Sequence, residues 1–110
     1  MTNVVVVLTT MPDDARTDEV SRVLVEERLA ACVNVHAPMT STYRWKGAIA
    51  REAERQLTIK TTADRVDALR TRLRELHPYE LPEFLVLRAD GGSDEYLEWI
   101  ESSVARSVRI

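Results

Sequence analysis

A chain of 110 residues, 45% hydrophobic and 30% charged, has the size and balance of one ordinary soluble domain built on one core, residues 1–110. Its one cysteine rules out an intramolecular disulfide and suits a reducing compartment, and the lack of paired Cys/His spacings rules out a self-contained structural zinc site. A net charge of −3 argues against a nucleic acid or an anionic membrane as partner, since each calls for a basic excess.

Val4 to Leu8 is continuously apolar and β-branched, which predicts an interior strand covered on both faces. The run is far too short to span a bilayer and has neither a basic flank nor a cleavage site, so the expected location is cytoplasmic. Pro12 suits a first helical turn, and Asp13, Asp14, Asp18 and Glu19 put negative charge near the positive end of a helix dipole. A helix to about Ala31 follows, with Val20, Leu24 and Ala31 as its apolar stripe.

From Val33 the period changes to two, with Val33, Val35 and Ala37 on one side and Asn34 and His36 on the other. Pro38 marks an edge, a bulge or a break, and Tyr43 and Trp45 resume strand chemistry before the Lys46-Gly47 turn. The return strand sets Glu52, Glu54, Gln56, Thr58 and Lys60 on a polar face against Ala53, Leu57 and Ile59. The two segments read as an unusually long hairpin. His36 falls on the polar side, in a solvated or cross-strand position.

Thr61 with Asp64 resembles a capping box, and Val66, Leu69, Leu73 and Leu76 carry a helix up to His77. Pro78 stops it, and Pro82 favours an extended approach to a last core strand, Phe84 to Leu87. Asp90-Gly91-Gly92 turns the chain, and Ser93 caps a terminal helix that carries Tyr96, Leu97, Ile100 and Val104 on one broad face. The order β-α-β-β-α-β plus a helix gives an α+β, ferredoxin-like sandwich with a long hairpin. Its second sheet face and long edges need the extra helix or neighbouring copies to cover them.

Five stretches in order, Glu27 to Val35, Ser41 to Gly47, Glu54 with Lys60-Thr61-Thr62, His77-Pro78-Tyr79-Glu80-Leu81-Pro82-Glu83, and Tyr96 to Ile100, resemble the CutA divalent-cation tolerance proteins. The resemblance implies a stable homotrimer of ferredoxin-like subunits, similar in architecture to PII-type signal proteins. It also implies an association with copper and other divalent cations, with no obligatory cofactor and no catalytic reaction. In that family copper binding is attributed to a cysteine closing the first strand and a histidine pair before Pro-Tyr. The matching positions here are Thr9, Leu76 and His77, so of that set only His77 is present.

His77 is therefore the candidate metal ligand, since imidazole suits copper; the plainer reading is a helix-end histidine bonded to the last carbonyls. Topology brings Met11, a soft thioether, to the same end of the sheet and puts Cys32 at the other, where a core or interface thiol is the plainer role. Glu54 and Lys60 share a face about 20 Å apart and cannot pair directly. Tyr43, Trp45, Glu54, Lys60 and Tyr79 are candidates for a pocket between subunits, Lys60 suiting a small anionic ligand; the plainer reading is interface packing and ion pairing. Ser41 and Cys32 have no identifiable base, so no nucleophile-base set is present. Three functions follow: a tolerance or signalling trimer that binds at its clefts, an interaction trimer with an indirect metal link, and a small trimeric enzyme sharing residues between chains.

Overall fold

The elements run β1 (Val4–Pro12), α1 (Ala15–Glu26), β2 (Cys32–Val35), β3 (Met39–Trp45), β4 (Ala48–Thr62), α2 (Val66–Leu76), β5 (Leu85–Arg88) and α3 (Asp94–Val104), with a 3-10 turn, Ala63–Arg65, leading into α2. The computed structural model describes residues 2–106. Every strand pairing is antiparallel, and the sheet order is β2-β4-β1-β5 with β3 also paired to β4. This is the ferredoxin-like α+β sheet that the order of periods predicts.

The apolar start of the chain lies in the middle of the sheet, β4 on one side and β5 on the other. Alternation sends Val5, Val7 and Met11 of β1, with Leu57 and Ile59 of β4, to the face that carries α1 and α2. There they meet Val20 and Leu24 of α1 and Leu69 and Leu73 of α2. Burial of each such Leu or Ile contributes about 1.5–3 kcal/mol. On the opposite face Val4 packs with Ile100 and Val104 of α3, so that helix covers only the end of the sheet where β1 begins.

Some boundaries differ from the sequence expectation. Pro12 ends β1 rather than opening α1; the side chain of Asp14 caps the helix by accepting the Arg16 amide proton. The helix stops at Glu26, short of Ala31, because Arg28 turns left-handed at φ 58°. The amide of Leu29 then bonds the Leu24 carbonyl and that of Arg28 the Val25 carbonyl, the two bonds of a Schellman ending. Ala31 packs instead with Val4 and α3. The proposed capping box does not form: the buried Thr61 hydroxyl donates to the Leu29 carbonyl at 2.8 Å and braces that same ending.

The long hairpin is interrupted at 36–38, around Pro38, so its first arm is β2 and β3, both laid along the 15-residue β4. Lys46 (φ 50°) and Gly47 (φ 81°) make a two-residue turn whose left-handed pair matches the twist of the strands. β5 is an edge rather than a core strand: Phe84 packs against the core, but Leu85 to Arg88 are all exposed. In α3 the broad face is narrower than expected, since Ile100 and Val104 are buried while Tyr96 and Trp99 stay exposed and pair with each other. The Ser93 cap forms as predicted, accepting the Tyr96 amide.

Candidate functional site

The face of the sheet away from α1 and α2 holds the polar stripe of β4. Directly opposed residues share a face, so Glu52 stands beside Ser41 and Glu54 beside Met39, while Gln56 stands beside Thr10 on β1. Tyr43 and Trp45 follow along β3 on that side. Facing them is the irregular segment Tyr79 to Glu83, kept out of helix by Pro78 and Pro82. Between the hairpin and this segment lies a cleft of about 850 Å³, in the range of small-ligand sites.

Three side chains fasten the cleft. The Gln56 side-chain amide donates to the Thr9 carbonyl at 2.7 Å and to the Glu83 carboxylate at 2.9 Å, pinning the irregular segment to the sheet. At the mouth the Lys46 ammonium lies 3.6 Å from the Glu80 carboxylate and 5.6 Å from the centre of the Trp45 ring. His77 anchors the other end: its Nε2–H donates to the Thr10 carbonyl at 2.7 Å, and its Nδ1 accepts the Tyr79 amide at 3.1 Å.

The electrostatics of the cleft are acidic. Glu52, Glu54, Glu80 and Glu83 line it against one lining guanidinium, that of Arg44. Glu54 is only 6% exposed and has no ion-pair partner among the described residues. Arg16, the nearby cation that acts on His77, is committed to Asp14 at 2.8 Å. Burial, and then the Glu54 carboxylate beside it, push the Tyr79 phenol well above its usual value, so it remains a donor at neutral pH. Burial pushes the His77 ring down, with Arg16 helping, against the opposing pull of the Thr10 carbonyl and Glu54.

Of the five residues expected to share a pocket, Tyr43, Trp45, Glu54 and Tyr79 come together, and Lys60 does not. Lys60 is paired with Val6 and Cys32 farther along the sheet, its ammonium 5.9 Å from the centre of the Tyr96 ring under α3. Lys46 at the mouth is engaged by Glu80, so an anion meets no lysine deeper in the cleft. Sequence reasoning missed Glu52, Glu80 and Glu83 as lining groups. Glu52 lay on the predicted polar face, but nothing in the sequence said that residues 79–83 fold back over it.

Among the described residues copper finds no ready site. Both ring nitrogens of His77 are already bonded, Met11 is fully buried in the core, and Cys32 is level with Val6 while His77 sits at Thr10, about 13 Å along the strand. Among the described residues no group of three or more His, Cys, Asp or Glu side chains is placed to hold a metal. His36 bonds across the strands to the Thr58 hydroxyl at 2.8 Å, its expected cross-strand role. No histidine lines the cleft, so Ser41 faces no imidazole base there.

The model of the CutA1 divalent ion tolerance protein family matches residues 5–103. The divalent-cation tolerance protein CutA of Thermus thermophilus is 42% identical over 98 residues, 89% of this chain and 95% of that protein. The crystal structure of CutA from Xylella fastidiosa superposes with a TM-score of 0.91 at 46% identity, over 94% of this chain and all of that one. The periplasmic divalent cation tolerance protein CutA of Archaeoglobus fulgidus matches with a TM-score of 0.89 at 27% identity, over 93% of this chain and 99% of that one. With a sheet, helices and hairpin shared across nearly its whole length, the chain belongs to the CutA1 divalent ion tolerance family.

Proposed function

We propose that this chain works as a homotrimeric divalent-cation tolerance protein, PII-like in architecture, that acts by binding or signalling at clefts closed by neighbouring subunits and not by catalysis. The observation that carries the reading is the bare stretch of sheet beside the cleft. Val6 and Leu8 share that face with Leu87 and Leu85 of β5, and those two leucines are 50% and 55% exposed at an edge strand. An uncovered apolar face with a free edge invites a second copy, and α3 is too short to cover it. The relatives are named for tolerance rather than for a reaction, which supports a binding role. We place the chain in the cytoplasm on its unpaired cysteine, unlike the relative from Archaeoglobus fulgidus, which is named periplasmic.

His77 is the candidate for a direct copper contact, and it reaches a metal only after Nδ1 releases the Tyr79 amide. That engagement favours a second reading, an interaction trimer whose metal link is indirect. The experiment is a calorimetric copper titration of the purified oligomer, wild type against His77→Ala. A saturable heat that weakens in the variant supports direct binding, and identical heats leave the indirect reading standing.

A further inference from the structure

The cleft under the hairpin carries a charge problem that the chain itself does not solve. Glu54 is more than nine-tenths buried, it faces the cleft, and no lysine, arginine or histidine pairs with it among the described residues. Glu52 lines the same wall on the neighbouring turn of the pleat. The Tyr79 phenol beside Glu54 offers a proton but no charge, and a buried carboxylate left without a counter-charge is a costly arrangement that a cation relieves.

The walls say which kind. A bare metal ion wants several oxygen, nitrogen or sulfur ligands converging at short range, and no such group of three exists among the described residues. The cleft is instead large and flanked by the rings of Tyr43, Trp45 and Tyr79. Aromatic faces beside carboxylates suit an ammonium or guanidinium on a carbon chain, which gains cation–π attraction and apolar contact as well as an ion pair. The chain displays this chemistry at the mouth, where the Lys46 ammonium lies between the Trp45 ring and the Glu80 carboxylate. Deeper in, Tyr43 and Tyr79 stand by Glu52 and Glu54 with no such ammonium.

We propose that the cleft binds a small organic cation, an aliphatic diamine or polyamine, with Glu54 and Glu52 as its counter-charges and the Tyr43 and Tyr79 rings as its flanking walls. This rests on the reading of the cleft as the functional site and names the class of ligand it takes.

The test titrates the intact protein with spermidine, and with magnesium chloride at equal ionic strength, by calorimetry and by Trp45 emission in a Trp99→Phe background. The expected result is saturable uptake of spermidine with a change in Trp45 emission, weakened about tenfold or more by Glu54→Gln, and not reproduced by magnesium. Glu52→Gln, on the exposed part of the strand, weakens it too and serves if Glu54→Gln does not fold. No uptake, uptake indifferent to both variants, uptake matched by magnesium, or uptake only after subunits dissociate overturns the proposal. A trimer that ignores spermidine removes the ligand class alone, whereas a monomer removes the shared cleft.

Discussion

The Nε2–H of His77 donates to the carbonyl of Thr10 over 2.7 Å, tying the residue after α2 to the end of β1, 67 residues earlier. Because Nδ1 accepts the Tyr79 amide at the same time, the ring must be neutral, with its proton on Nε2. Burial lowers the pKa of this ring below the ordinary 6.5. Between the lowered folded value and 6.5 the unfolded chain therefore binds a proton that the folded chain refuses, and stability rises with pH through that interval. The contribution is complete above about pH 6.5 and is lost as pH falls toward the lowered folded value. Urea titrations at pH 8 and pH 5.5 check this: the wild type loses stability on acidification and His77→Ala loses less. At pH 8 the variant is destabilised by about 1–3 kcal/mol, because it orphans the Thr10 carbonyl and the Tyr79 amide.

Thr9 offers a stabilising change. Its hydroxyl is buried without a hydrogen-bond partner, on the face of β1 that packs under the helices. Valine has nearly the same shape and no polar atom, so Thr9→Val should gain about 1–2 kcal/mol. Thermal denaturation reads this as a rise of several degrees. A fall would show that the hydroxyl has a partner in solution.

Arg28 separates backbone strain from side-chain contact. Its left-handed φ of 58° ends α1, and its guanidinium donates to the Ser103 carbonyl of α3 at 3.1 Å. Both Arg28→Ala and Arg28→Gly lose the contact, but only glycine relaxes the backbone. The glycine variant should be the more stable of the two by about 1 kcal/mol in chemical denaturation. Equal stabilities would contradict the Schellman ending.

The elements themselves were written in local pattern. The β-branched run at Val4 to Leu8, the alternation through Leu57 and Ile59, and the helical spacing of Leu69 and Leu73 each name an element and the face it buries. What local pattern does not carry is the partner across the chain. Thr61 looks like a cap in sequence and serves as a brace for Leu29, 32 residues away. Glu54 and Lys60 look alike on one polar stripe, yet the segment 79–83 covers the first and α3 meets the second. The candidate cleft was legible as a set of residue types, and which of them line it depends on tertiary contacts that no period encodes.

The bare edge gives the next prediction. Leu87 lies opposite Val6 on the uncovered face, so Leu87→Asp puts a charge where a neighbour would pack. The substitution should leave the fold intact by circular dichroism, since the side chain is half exposed in one chain, and should dissociate the assembly on size exclusion. An unchanged elution volume would place the interface elsewhere.

Light scattering of the purified wild-type protein tests whether the cleft belongs to an assembly of three chains. The expected mass is three times that of the chain, constant on dilution through the micromolar range. A stable single-chain mass at those concentrations would contradict it.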